Sequence, residues 1–303
     1  MGTIQINRYV WLVNLLKRRS RLSLKEISDL WLHERNGDGK EIDKSRMNKW
    51  CNAISELFDY QIVNEKRGEY KYYIENEDAL KNDSVREWLF NTMTVHNMLS
   101  NNVKLHGRIL LESVSSDNKQ LETILNAMND SKMISFTYHS YWKDELEYLE
   151  VEPYCLKLAK RRWYVLSHCP QTNVTKAYPI DERIEDLEML EDKPFKMPKD
   201  FSAEEYFSGY FGATAHEGSQ QEHVKLKVCG TQVKYFDSLP LHHSQKKTYN
   251  CDEYSIFEYD VRPTYDFQQV ILSHAPDVVV LEPQSLREEI KWKIEEMIKR
   301  YNV

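Results

Sequence analysis

Glycine is scarce in this 303-residue chain, at nine residues, and none falls in a G-x-x-x-x-G-K or G-x-G-x-x-G arrangement. A loop that cradles phosphate needs closely spaced glycines so that backbone N–H groups can approach the anion. A P-loop NTPase and a dinucleotide-binding dehydrogenase are therefore excluded. Cysteine is thin as well: Cys51, Cys155, Cys169, Cys229 and Cys251 are scattered, odd in number and without a C-x-x-C pair. That usage fits reduced thiols in a cytoplasm and speaks against a disulfide frame or a zinc knuckle. No window approaches the roughly 18 uncharged apolar residues of a membrane span. The opening MGTIQINRYVWLVNLLKRR has no apolar run ahead of a small-residue cleavage site, so it does not read as a signal peptide. A cytoplasmic protein is expected.

Positive charge is also in deficit, with 41 Lys and Arg against 48 Asp and Glu and a formal net charge of -7. A protein coated in nucleic acid is excluded, but one basic module is not. The deficit is uneven. Residues 1–75 hold 14 Lys and Arg against 11 Asp and Glu, whereas the remaining 228 residues carry a net -10. Any electrostatic footprint for DNA therefore lies at the N-terminus. What the chain has in quantity is apolar material: 41% hydrophobic and 12% aromatic residues, enough to bury cores in two or three domains.

The first 75 residues read as three helices and a hairpin. Ile6, Tyr9, Val10, Val13 and Leu16 recur at helical spacing. Ser23-Leu-Lys-Glu26 is a capping box that opens a second helix through Ile27, Leu30 and Trp31, and glycines at 37 and 39 break it. Asp43 can cap a third helix whose apolar stripe is Met47, Trp50, Cys51, Ile54 and Leu57. Its other face carries Ser45, Asn48, Asn52 and Ser55, flanked by Lys44, Arg46 and Lys49. Gln61 to Glu65 and Glu69 to Ile74 then form strands around a basic tip, Lys66-Arg67-Gly68. Each piece alone has a plain structural reading. Their order, their confinement to about 75 residues and the local positive balance together favour a winged helix-turn-helix that binds DNA.

Residues 76–130 read as a helical connector, with Trp88, Leu89, Val95, Met98 and Leu99 in one segment and Gln120 to Met128 in another. Exposed aromatics in such a connector favour a homodimer. From 131 to 193 the period switches to two. Ile134, Phe136 and Tyr138 alternate with polar residues, and further strands run over Tyr148–Lys157, Arg162–Ser167, Thr175–Ile180 and Glu185–Leu190. Short strands at this spacing predict a small curved sheet or partly closed barrel. Residues 194–221, with Pro194, Pro198, Gly209, Gly212 and Gly218, read as a linker with one short helix. Residues 222–303 read as an α/β sandwich with strands at His223–Val228, Ser255–Arg262 and Val278–Leu281. Its helices are Asp266–Ser273 and Leu286–Tyr301, the last with Leu286, Ile290, Ile294, Met297 and Tyr301 in register.

Chemistry-bearing clusters are few. His242 and His243 with Cys251 lack a fourth ligand, and adjacent histidines on a strand point to opposite sides, so no metal site is expected. Ser167, His168 and Cys169 fail as a nucleophile–base set for the same reason. Glu150/Glu152 and Glu204/Glu205 read as solvated faces. No catalytic residue and no cofactor is expected. A basic set is more telling. On a strand, Arg162, Tyr164 and Leu166 share one face while Trp163 and Val165 share the other. Lys176 and Tyr178 repeat the pattern on the next strand, and Arg183 follows. Such a face can recognise an anion, or its arginines can simply pair with nearby acids. The pattern alone leaves both open.

Trp163-Tyr164-Val165, preceded by Ile134, Phe136, Tyr138 and Val151-Glu-Pro-Tyr154, is followed by Ala177-Tyr-Pro-Ile-Asp-Glu-Arg-Ile184. These pieces resemble the WYL-domain transcriptional regulators of bacteria, in which the signature reads Trp-Tyr-Leu and the later run lacks a residue equivalent to Glu182. Leu239-Pro-Leu-His-His-Ser-Gln245, Arg262-Pro-Thr-Tyr-Asp-Phe267 and Val280-Leu-Glu-Pro-Gln-Ser-Leu-Arg287 resemble the family's C-terminal WCX extension. The resemblance runs over essentially the whole chain. It implies an α+β multidomain protein: a winged helix-turn-helix, a helical connector, a WYL domain built as an Sm-like β-barrel, and the extension. It also implies a transcription factor, with repression as the expected sign, that binds a double-stranded DNA operator and senses an oligonucleotide or nucleotide-like anionic effector. Tyr138, Arg162, Tyr164, Lys176 and Arg183 would be its ligand face. Lys44, Ser45, Arg46, Asn48, Lys49 and Asn52 would read DNA, with Lys66 and Arg67 on phosphates. The alternative is a nucleotide- or nucleic-acid-binding signalling module that does not itself read DNA.

Overall fold

The structure, a computed structural model, describes residues 3–34, 37–78, 84–100, 108–110, 118–141, 145–213 and 219–301. They fall into two compact units, residues 1–111 and 112–303.

The first unit begins with α1 (Thr3–Arg19), α2 (Leu24–Leu32) and α3 (Lys44–Phe58). The capping box forms as read: the Glu26 N–H donates to the Ser23 hydroxyl at 3.3 Å and the Ser23 N–H donates to the Glu26 carboxylate at 2.8 Å. Those two bonds satisfy donors that the first turn would otherwise leave bare. Asp43 caps α3, accepting the Arg46 N–H at 2.7 Å, and Asp59 ends it in the left-handed region. Met47, Trp50 and Ile54 bury against Val10, Val13, Ile27 and Trp31, with Trp31 5.1 Å from Trp50 and 4.9 Å from Trp11. Leu57, expected on this stripe, is exposed. The last turn instead packs the half-buried Phe58 beside Phe90, at 5.6 Å.

Strands β1 (Ile62–Asn64) and β2 (Tyr72–Ile74) pair antiparallel, Ile62 opposite Ile74, and Leu22 adds a bridge to Tyr72. The hairpin tip turns at Gly68, whose φ of 85° suits glycine. Helix α4 (Ser84–Ser100) then packs Phe90 on Tyr60 at 5.2 Å, which makes it part of this unit.

Helix α5 (Asn118–Asn129) belongs to the second unit, because Ile124 and Ala127 are buried in its first core. The expected connector over 76–130 is thus not one body: α4 and α5 serve different cores. Residues 79–83, 101–107 and 111–117 of that stretch, and 214–218 of the expected linker, lie outside the described residues.

Five strands follow: β3 (Lys132–His139), β4 (Leu146–Ala159), β5 (Arg162–Cys169), β6 (Val174–Pro179) and β7 (Ile184–Pro194). They form an antiparallel sheet in the order β6-β5-β4-β3-β7. The Sm-like barrel that the resemblance implied is not closed, since among the described residues no ladder joins β6 to β7. Pro179 ends β6 without an N–H to donate. The sheet nevertheless curls. Ile180 still donates to Trp163 O at 2.8 Å, and His139 already donates to Arg183 O at 2.8 Å. Three residue steps reach about 11 Å at most, whereas four strand spacings in a flat sheet cover about 19 Å. Curvature without closure reconciles the two.

After α6 (Ala203–Phe207) comes the second sheet, with β8 (Glu222–Cys229), β9 (Lys246–Asn250), β10 (Tyr254–Val261) and β11 (Val278–Glu282) in the order β11-β8-β10-β9. Val224, Leu226 and Val228 alternate inward, as do Phe257, Tyr259 and Val261. They share a core with α7 (Gln232–Ser238), α8 (Tyr265–Ser273) and α9 (Gln284–Tyr301). On α9 only Leu286 and Ile290 of the expected stripe are buried; Ile294, Met297 and Tyr301 are exposed.

Candidate functional site

Helix α3 is aimed by its own start. The Arg46 guanidinium bonds the Asp38 carboxylate at 2.5 Å, donates to the carbonyls of Lys40 and Glu41 at 3.1 and 3.2 Å, and lies 5.0 Å from the Trp50 ring. The Trp31 indole donates to the same carboxylate at 3.0 Å. Burial would raise the Asp38 carboxyl, but the bonds from Trp31 and Arg46 hold it below the usual carboxylate range. The loop between α2 and α3 is thereby clasped onto the core. Arg46 is half-buried in this clasp, whereas Lys44, Ser45, Asn48, Lys49 and Asn52 are exposed on the face away from Met47 and Trp50. Lys66 and Arg67 are exposed at the hairpin tip. The six α3 residues singled out in the sequence thus divide into five open side chains and one spent on the fold.

In the second unit the turn after β6 builds a charged cluster. The Asp181 side chain is 0% exposed. Its Oδ1 accepts the Arg183 backbone N–H at 3.1 Å and Arg183 Nε at 3.0 Å. Its Oδ2 accepts Arg183 Nη2 at 2.8 Å and lies 3.1 Å from Arg162 Nε in an ion pair. Burial opposes the charge, yet the hydrogen bonds from Arg183 and the charges of both arginines keep the Asp181 carboxyl below its ordinary value. Arg183 also lies over the Tyr141 ring at 4.7 Å, and the Tyr141 hydroxyl donates to Glu182 at 2.9 Å. Asp181, at the centre, was not a candidate in the sequence. The signal was present in the two-residue spacing of Asp181 and Arg183, which lets a turn close on its own side chains.

The five expected ligand residues do not share a face. The turn after β5 pairs Cys169 with Val174, so odd positions of β5 oppose even positions of β6. Tyr178 therefore sits beside Val165 and Lys176 beside Ser167, on the core side with Trp163 rather than opposite it. Parity read strand by strand could not supply that register. Tyr138 is buried on this inner side, 5.2 Å from Tyr178, and Lys176 lies 5.0 and 5.1 Å from their two rings. Burial pushes the Tyr138 hydroxyl up, with Arg183 acting against it. Tyr164 faces the other side opposite Lys157, which stands 3.9 Å from the Phe207 ring. Arg162 is on the Tyr164 face and joins Arg183 only through Asp181.

His242 and His243 lie not on a strand but in the turn before β9, with rings 4.0 Å apart. Among the described residues no group of His, Cys, Asp or Glu is placed to hold a metal. Ser167 and Cys169 point into the core, while His168 stacks on Tyr154 at 5.9 Å, so the three do not meet. No described helix is long and apolar enough to cross a membrane.

The WYL domain family matches residues 119–189 and the WCX domain family matches residues 220–298. No curated relative matches the chain. Among solved structures it is similar to Proteasome accessory factor B/C (PafBC) of Arthrobacter aurescens. The identity is 15% over 95% of this chain and 46% of that one, with a TM-score of 0.39, so this chain spans less than half of its length. It is also similar to a structure described as a CRISPR Cas-related protein, at 14% identity over 88% of this chain and 75% of that one, with a TM-score of 0.41. The chain thus carries a WYL domain, whose matched region holds the five-stranded sheet up to the last strand's final residues, and after it a WCX domain that contains the four-stranded sheet.

Proposed function

We propose that this protein is a transcriptional regulator, acting as a repressor, whose N-terminal unit is a winged helix-turn-helix and whose WYL domain senses an anionic, nucleotide-like or oligonucleotide ligand. The observation that carries the reading is the open face of α3. Lys44, Ser45, Asn48, Lys49 and Asn52 stand free of the core on a helix fixed at both ends, and the basic tip of the hairpin supplies Lys66 and Arg67. Charged and amide side chains of that kind suit base edges in the major groove, and the wing suits phosphate. Arg46 then serves the aim of the helix rather than the reading of bases.

In this reading the protein works as a homodimer on a roughly palindromic operator. Ligand bound at the WYL domain changes the affinity of the DNA-binding units, a coupling between two sites that must act in both directions. The chemistry is recognition, not turnover. A mobility-shift series with double-stranded DNA taken from upstream of the gene tests the proposal. Binding should fall steeply as salt rises, because phosphate contacts release counterions. No shift at the lowest salt would overturn it in favour of a signalling module that does not read DNA.

A further inference from the structure

We infer that Asp181 is the positioning residue of the anion site, and that Arg162, rather than Arg183, makes the contact with the anion. The inference rests on the reading of the WYL domain as an anion sensor and sharpens it. Two guanidiniums here share one carboxylate oxygen, at 2.8 and 3.1 Å. Like charges held so close repel one another, and a desolvated anion between them offsets that repulsion. Asp181 supplies the anion and, through three hydrogen bonds from Arg183 and an ion pair with Arg162, the geometry.

The two arginines are not equivalent. Arg183 commits its backbone N–H, Nε and Nη2 to Asp181, lies over the Tyr141 ring, and leaves its side chain 14% exposed. Arg162 meets Asp181 through an ion pair alone, at Nε, and its side chain is 34% exposed. Among the described residues no second ion pair involves Arg162. A guanidinium whose terminal N–H groups are not committed can turn parallel donors to a ligand, the arrangement that takes a phosphate or carboxylate bidentately. Glu182 is near enough to act on Arg162, but its carboxylate accepts the Tyr141 hydroxyl. With Glu182 the cluster holds two cations and two anions, so it is the uncommitted donors of Arg162, and not an excess of positive charge, that suit a single oxyanion group.

The test is a titration of the full chain with a short phosphorylated oligothymidylate, followed by anisotropy, in the wild type and in Arg162→Ala, Asp181→Asn and Arg183→Gln. Arg162→Ala should lose binding. Asp181→Asn should weaken it by about tenfold, the scale of losing charge-assisted hydrogen bonds. This outcome is diagnostic, because simple electrostatics predicts that deleting an acid beside two arginines tightens an anion. Arg183→Gln should weaken binding less than Arg162→Ala. Equal or tighter binding by a folded Asp181→Asn protein would overturn the positioning role. A greater loss in Arg183→Gln than in Arg162→Ala would overturn the division between the arginines. Should Asp181→Asn fail to fold, Asp181→Glu carries the same test: a carboxylate one methylene out of place should cost affinity while keeping the charge. If wild type does not bind, the sensor reading itself fails, which is a separate result; if wild type binds and Arg162→Ala binds equally well, the assignment of the contact to Arg162 is overturned.

Discussion

Arg46 and Asp38, eight residues apart in sequence, are joined at 2.5 Å across the turn that leads into α3. The pair closes a ring of contacts that includes the Trp31 indole and the Trp50 face. A basic residue on the helix proposed to face DNA is thereby spent on the fold. Arg46→Ala removes four contacts at once, and should lower the melting temperature and weaken DNA binding together. Lys49→Ala, on the open face, should leave the melting temperature unchanged and cost about 1–3 kcal/mol of operator binding, the range for a lost base contact. Thermal melts beside operator titrations separate the two. A fully stable Arg46→Ala protein with lost binding would return Arg46 to the reading set.

The wing tip makes a different prediction. Lys66 and Arg67 are exposed at a turn, and among the described residues neither makes an ion pair. If they contact phosphate, Lys66→Ala and Arg67→Ala should each reduce the slope of log affinity against log salt by about one, and weaken all DNA sequences alike. An unchanged slope, measured on operator and unrelated DNA, would place the tip away from the backbone.

Gly212 tests the packing between α8 and the segment before β8. Its φ is 80°, and a Cβ there would meet Asp266 Oδ2 at 2.6 Å. Asp266 in turn accepts Lys160 Nζ at 2.8 Å, beside the tight turn into β5. Gly212→Ala combines a strained backbone with a displaced carboxylate, so a loss of about 1–3 kcal/mol in urea denaturation is expected. A neutral result would show that the segment adjusts freely.

Where the sequence was legible, local physics was decisive. Ser23 with Glu26 and Asp43 before α3 announced two helix starts, and the alternation of Ile134, Phe136 and Tyr138 announced a half-buried strand. What stayed hidden depended on partners distant in sequence. The turn joining β4 to β5 is Lys160-Arg161, both at positive φ, with none of the Asn-Gly chemistry that marks such turns. Strand β9 is exposed at all five residues and so shows no alternation. The face of Lys176 was set by the register with Ser167, and the role of Arg46 by the position of Asp38. The center of the anion cluster, Asp181, is an acid among basic candidates, and a search for positive charge passes over it.

Lys157 supplies a pH test of the outer face of the five-stranded sheet. Burial lowers its ammonium from 10.5 to about 8, more than Cys155 and Asp266 raise it, although the Phe207 ring at 3.9 Å favours the charge. Below pH 8 both the folded and the unfolded chain carry the proton, and the cost of holding the charge in the folded state is present in full. Between about 8 and 10.5 the folded protein has released a proton that the unfolded chain still holds. The unfolded state then binds more protons, so this group makes stability rise as pH climbs through that window. Lys157→Met keeps the length of the side chain and removes the charge. It should raise the melting temperature at neutral pH, and the gain over wild type should shrink as pH approaches 10.5, because wild type recovers the same penalty by deprotonation. Denaturation at fixed temperature across this range reads the difference directly. A Lys157→Met protein less stable than wild type at neutral pH would show that the contact with Phe207 outweighs the cost of burial.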